Sequence, residues 1–228
     1  MSESKRLEGL NHIKTMMMIL VILYHSMALW NREGWFNTLP ADPNPVITYI
    51  ATWLNTFHIY VFVFISGYLF YYLKYECGKY QVFRYFCLAK FKRLMIPYLF
   101  VALFWCMPFH AYFFRTDIGE LVKKYVLMTS PSQLWFVVML FAMMITVFLI
   151  SDFLVKKSAF QLLIICVGIY FVGVALGLMP LPFQIPTAVR YMPFYIMGMC
   201  FRKWDIQKTK LHGSIWLLID LIVFSIYY

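Results

Sequence analysis

Residues Ala159 to Met179, AFQLLIICVGIYFVGVALGLM, contain no charged side chain. A helix needs roughly 20 mainly apolar residues to cross the hydrocarbon core of a bilayer, and this run is long enough. A backbone in hydrocarbon must satisfy its own hydrogen bonds, so spanning segments are helices or closed barrels. The roughly 10-residue alternation of a barrel strand is missing. The run therefore predicts a transmembrane helix.

Similar runs recur along the whole chain. Apolar residues make up 63% of it and charged residues 13%, whereas soluble domains are roughly half apolar and a quarter charged. The fold class that this predicts is all-α, a polytopic transmembrane helical bundle of about seven spans in a single domain over residues 1–228. The spans are Ile13 to Trp30, Val46 to Tyr72, Leu94 to Phe114, Leu134 to Ile150, Ala159 to Met179, Thr187 to Phe201 and Ser214 to Tyr228.

The positive charges fall in the segments between these runs. Fifteen of the 20 Lys and Arg residues lie on one side of the predicted topology, which includes the N-terminus and a loop from Lys74 to Arg93. The positive-inside rule places that side in the cytoplasm. The net charge of +10 is thus explained by the membrane, and we expect no nucleic-acid partner. The five cysteines form no CxxC pair, which predicts neither a disulfide framework nor a metal site.

Two ionisable residues, Lys14 and His25, lie in the first predicted span. At about 100° per residue they share one helix face, separated by about 16 Å along the axis. An ammonium at the cytoplasmic edge can hold a phosphate, and a deeper imidazole can accept a hydroxyl proton. Alternatively, Lys14 extends to the interface and His25 bonds a neighbouring helix. A cleavable signal peptide ending near Ala28 is a further alternative, and it would remove His25.

The second span carries His58, Ser66 and Gly67. Gly67 allows another backbone to approach closely, and Ser66 can bond its own helix or a partner, so packing alone can explain this pair. His58 is a candidate second proton carrier or a group that orients the acceptor. Its alternative role is an interhelical hydrogen bond.

Four cations, Arg84, Lys90, Lys92 and Arg93, cluster before the third span. Cationic residues beside a membrane attract anionic lipid at about 1 kcal/mol each. The functional alternative is that Lys90 and Arg93, three residues apart, bind the phosphates of a nucleotide-containing donor.

Several motifs occur in a consistent order. They are Asn11-His-Ile-Lys14 through Tyr24-His25, the run Phe57 to Tyr68 that includes Ser66-Gly67, Lys90-Phe-Lys-Arg93 leading to Pro97-Tyr98, and the shorter Leu134-Trp135-Phe136 and Pro193-Phe194 with Gly198. Together they resemble the integral-membrane acyltransferase family three. The resemblance covers residues 5 to about 100 well and the rest loosely.

The resemblance implies about ten helices, a catalytic His25, no permanently bound cofactor, and acyl-CoA as donor substrate. The expected acceptor is a hydroxyl of a sugar, a cell-surface polysaccharide or a lipid-linked glycan, and the expected location is a bacterial inner membrane. The candidate site residues are then His25, Ser66 and His58 for catalysis and Lys14, Lys90 and Arg93 for the donor.

The sequence departs from the family pattern at Asn11, where an acidic residue is usual, at Lys90, where Arg is expected, and by about three helices at the C-terminus. Two other functional interpretations stay open. One is a small transporter or channel whose pathway is lined by Lys14, His25 and His58. The other is a truncated, inactive acyltransferase-like protein that binds sugar or partner proteins.

Overall fold

The computed structural model describes residues 3–30, 43–129, 131–179 and 181–205. The chain divides into two compact units. The terminal unit comprises residues 1–65 and 201–228, and the central unit comprises residues 66–200. The single domain over residues 1–228 stays a prediction.

The helices follow one another along the chain, and four of them contain or continue into a π-helical turn. The α-helices are α1 (Glu3–Ser26), α2 (Pro45–Tyr71), α3 (Phe83–Lys90), α4 (Ile96–Val101), α5 (Met107–Phe113), α6 (Ile118–Leu121), α7 (Trp135–Leu154), α8 (Ala159–Leu176) and α9 (Ile185–Lys203). The π-helical turns are Tyr72–Glu76, Phe91–Met95, Ala102–Cys106 and Val122–Val126, and short 3₁₀ turns occupy Met27–Leu29 and Ser132–Leu134.

Within the described part of the chain, five helices are long and apolar enough to cross a bilayer. They are Gly9–Leu29, Pro45–Glu76, Phe83–Phe113, Trp135–Leu154 and Ala159–Leu176. These correspond to the first five predicted spans and confirm an all-α transmembrane fold. The sixth predicted span forms α9 but is not among the five, and Ser214 to Tyr228 lies outside the described residues, so the number seven stays a prediction.

The second long helix has clear start and stop signals. The side-chain oxygen of Asn44 accepts hydrogen bonds from the backbone N–H groups of Val46 and Ile47, at 2.9 and 3.2 Å, and Pro45 occupies the first turn, where no N–H is needed. At the other end Gly78 has a φ of 64°, the left-handed conformation that ends helices.

The third long helix begins at Phe83, whereas the sequence predicts a loop as far as Arg93; that prediction is wrong. The basic cluster is therefore helical, on α3 and the π turn that follows it. The physical reason is an aromatic contact: the buried Phe86 ring stacks on Phe148 at a centroid distance of 4.8 Å and meets Phe70 at 5.7 Å.

Lys74 is also placed differently from the prediction. It is not a loop residue, because its side chain is buried at the end of the second long helix. Its Nζ donates to Ser151 Oγ at 2.7 Å and to Asp152 Oδ1 at 2.9 Å, and it lies 4.4 Å from the Phe148 ring centroid. The Tyr75 hydroxyl donates to the same Asp152 oxygen at 2.6 Å. These bonds join the ends of the second long helix and α7.

A second set of bonds joins two connections elsewhere in the central unit. The Gln184 side-chain nitrogen donates to the carbonyl oxygens of Met128 and Thr129, at 3.3 and 2.6 Å. The Phe183 backbone N–H donates to the Leu127 carbonyl at 3.0 Å. The segments before α7 and before α9 therefore lie together.

Within the central unit, α9 packs by backbone contact at two glycines. A Cβ added to Gly67 would lie 1.9 Å from the Tyr195 carbonyl oxygen, and one added to Gly173 would lie 2.5 Å from the Arg190 Cα. Neither position can hold a larger residue without moving α9. The packing interpretation of Gly67 is confirmed.

We expect Gly67→Ala to lower the melting temperature of the detergent-purified protein. The added methyl group meets backbone atoms, which cannot rotate away, and overpacking typically costs about 1–3 kcal/mol. Gly168→Ala is the matched control, since no atom lies within 4 Å of a Cβ at that helical position. Equal melting temperatures for the two variants would contradict the close contact between α2 and α9.

Candidate active site

In the terminal unit, one tyrosine contacts two histidines from different helices. The Tyr24 ring centroid lies 5.5 Å from that of His25, on the same helix, and 5.1 Å from that of His58 on α2. Tyr24 is 4% exposed and packs with Ala51 and Leu54 in a small apolar cluster. The contact places both predicted catalytic imidazoles around one aromatic ring.

The buried face of α1 determines where His25 and Lys14 lie. Met17, Tyr24 and Ala28 are buried and recur at helical spacing, so they form the face that packs on the protein. At about 100° per residue, His25 and Lys14 lie within about 20° of each other, at the edge of that buried face. Lys14 is half-buried and His25 is exposed. The shared face that the sequence predicts is thus compatible with the observed packing.

His58 has a defined hydrogen-bonding arrangement. It is 4% exposed, and its Nδ1 lies 2.6 Å from the Leu54 carbonyl oxygen. A carbonyl oxygen only accepts, so Nδ1 must carry the proton of the neutral ring, and Nε2 becomes the nitrogen that can accept. A ring fixed in this way can orient a hydroxyl group through Nε2.

Ser66 is half-buried on α2, eight residues after His58, and it begins the central unit. Gly67 beside it makes the backbone contact with Tyr195. Because His25 and His58 belong to the terminal unit, the grouping of Ser66 with them stays a prediction. The same holds for the grouping of Lys14 with Lys90 and Arg93, which lie in the central unit.

Tyr80 contacts Lys90 and is influenced by the charge of Arg93. The Lys90 Nζ donates to the Tyr80 hydroxyl at 3.4 Å and lies 4.9 Å from the centroid of its ring. Burial raises the pKa of Tyr80, and the nearby positive charge of Arg93 opposes that rise. At neutral pH the phenol therefore keeps its proton, and it accepts a hydrogen bond from Lys90 while the positive charge of Arg93 also acts on it.

Sequence reasoning missed both Tyr24 and Tyr80. Tyr24 precedes His25, and the helical spacing of Met17, Tyr24 and Ala28 could have marked it as a buried residue. The corresponding signal for Tyr80 is weaker, because it lies in the short connection between two helices. Only the fold shows that it contacts Lys90.

These features define an integral membrane protein with a pair of imidazoles on its first two long helices. Residues 7–228 match the family model described as an acyltransferase domain. The chain therefore belongs to the acyltransferase family three, as its motifs suggest. No curated protein and no solved structure shows a significant match to it.

The tautomer of His58 can be tested directly. Magnetic resonance spectra of the ¹⁵N-histidine-labelled protein are recorded at a pH where the rings are neutral. They should show a proton on Nδ1 of His58 and none on Nε2, because the Leu54 carbonyl oxygen can only accept a hydrogen bond. The signal is assigned as the one lost in His58→Ala, and the exposed His12 serves as reference. A proton on Nε2 would contradict the hydrogen bond to Leu54.

Proposed function

We propose that the protein is a membrane-bound O-acyltransferase that moves an acetyl group from acetyl-CoA to a hydroxyl of a cell-surface polysaccharide or lipid-linked glycan. The observation that carries this proposal is the contact of Tyr24 with His25 and His58 in a chain of the acyltransferase family. Ionisable side chains within a bilayer are energetically costly and are therefore candidate functional residues, and here two imidazoles adjoin one ring.

The proposed reaction uses an imidazole as general base. His25 takes the proton of the acceptor hydroxyl as its oxygen attacks the thioester carbonyl. The tetrahedral oxyanion then collapses, the carbon–sulfur bond breaks, and the coenzyme A thiolate receives the proton from the imidazolium. An ester and free coenzyme A are the products, and no acyl-enzyme forms.

His58 and Ser66 have supporting roles in this proposal. His58 holds a second hydroxyl of the acceptor through Nε2, because its Nδ1 is engaged by Leu54. The Ser66 hydroxyl donates to the developing oxyanion, the type of stabilisation that is often the largest contribution to acyl transfer.

The donor is assigned to cationic residues. Lys14, Lys90 and Arg93 are proposed to bind the phosphates of coenzyme A, since charge-assisted contacts to phosphate are about twice as strong as neutral ones. All three belong to the side that we propose to be cytoplasmic, where acyl-CoA is made.

The orientation is supported by the charges of the central unit. The Lys74 and Asp152 pair brings the ends of the second long helix and of α7 to the same side. Eight Lys and Arg residues lie at these two helix ends and in the residues that follow them, as far as Arg93 and Lys157. Three lie in the connection that precedes α7, on the opposite side. The positive-inside rule places the first group in the cytoplasm. We propose a bacterial inner membrane with the N-terminus inside.

His25→Ala should lower turnover by about a hundred- to ten-thousand-fold, because a general base typically contributes that much. Insertion should persist, since one interhelical hydrogen bond in a membrane is worth only about 0.6 kcal/mol. The measurement is transfer of label from acetyl-CoA to glycan in proteoliposomes, with His12→Ala on the same helix as control. Wild-type turnover in His25→Ala would remove this imidazole from the mechanism.

Single cysteines should report the orientation in a version whose five native cysteines are replaced by alanine. Lys79→Cys and Lys156→Cys should react with an impermeant thiol reagent only from the cytoplasmic side. Glu120→Cys, at an exposed position of α6, should react only from outside. The reverse pattern would overturn the proposed topology.

A further inference from the structure

Tyr80 lies on an aromatic layer that supports Lys90. The ring centroids of Tyr80 and Phe86 are 5.0 Å apart, and the Lys90 ammonium lies 4.9 and 5.4 Å from them. A cation over two ring faces is held by their quadrupoles, and its long side chain loses freedom before any ligand binds. The layer therefore positions the Lys90 charge in advance.

The Tyr80 hydroxyl acts as a hydrogen-bond acceptor but not as a donor within the described part of the chain. Its oxygen accepts from Lys90, while no acceptor for its own proton is found in the described part of the chain. A phenol beside two cations, Lys90 and Arg93, faces a positive potential, so an anionic oxygen is the acceptor that this position favours. The three groups together offer two charges and one neutral donor.

A second hydroxyl belongs to the same layer. Tyr195 is 0% exposed, and its hydroxyl has no hydrogen-bond partner among the described residues. Its ring centroid lies 5.9 Å from that of Phe70, which in turn lies 5.7 Å from that of Phe86. Buried hydroxyls nearly always have a partner. The Tyr195 hydroxyl is thus a second polar group at the aromatic layer for which the described residues supply no hydrogen-bond partner.

We propose that the Tyr80 hydroxyl is a direct ligand of a phosphate group, which it binds together with Lys90 and Arg93. The inference rests on the proposed donor site and adds a residue that lies outside the basic motif. The phosphate belongs either to coenzyme A or to the headgroup of an anionic phospholipid, and both present the same tetrahedral anion to these donors. Because Lys90 holds the Tyr80 hydroxyl in one place, the site suits a single bound phosphate group better than a loosely associated layer of anionic lipids.

The test is Tyr80→Phe, which keeps the ring beneath Lys90 and removes only the hydroxyl. Loss of one hydrogen bond to a charged group should weaken phosphate binding by about tenfold. The matched control is Tyr85→Phe, the same change at a side chain that is 71% exposed. Affinities for coenzyme A and for dihexanoyl phosphatidylglycerol are measured on the full chain in one detergent, with melting temperatures as a check on folding.

We expect Tyr80→Phe, and not Tyr85→Phe, to lose about tenfold in coenzyme A affinity. A loss confined to the phospholipid would support the phosphate site and overturn its assignment to the donor. Wild-type affinity of Tyr80→Phe for both ligands would overturn the proposal. If the wild-type chain binds the phospholipid but no coenzyme A, the proposed function fails, and the phospholipid data still decide the role of Tyr80.

Discussion

In hydrocarbon there is no water to satisfy a polar group, so each one has to find its partner within the protein. This constraint explains the polar contacts of the structure. The imidazole of His58 bonds a carbonyl of its own helix. The buried ammonium of Lys74 is shared among a serine, a carboxylate and aromatic faces.

Tyrosines organise both parts of the candidate site. Tyr24 contacts the two imidazoles, and Tyr80 contacts Lys90 and lies within the field of Arg93. A phenol suits this task, because its ring packs in an apolar layer while its hydroxyl bonds a polar group. In the proposed function, both tyrosines fix charged or titratable groups before substrate binds, which lowers the entropy cost of ordering these groups.

The sequence was sufficient for the five long apolar helices, because apolar runs of spanning length are local features. It also named candidate site residues from ionisable residues inside those runs, and their roles stay predictions. The predicted start of the third long helix was wrong. The charged residues from Arg84 to Arg93 were interpreted as a loop, and the helical spacing of Phe83 and Phe86 among them was overlooked. The sequence also assigned Lys74 to a loop, since its partner Asp152 is distant in sequence. Contacts such as that between Tyr24 and His58 join separate helices, and no local pattern of the sequence encodes them.

The central proposal is that His25, as general base, and His58, as the group that orients the acceptor, act as one unit around Tyr24. The most direct test is a double-mutant cycle on acetyl transfer with His25→Ala, His58→Ala and the double variant in proteoliposomes. Residues that act as a unit show non-additive losses. We predict that the double variant is no slower than His25→Ala alone. A double variant whose loss equals the product of the two single losses would show two independent imidazoles and contradict the account.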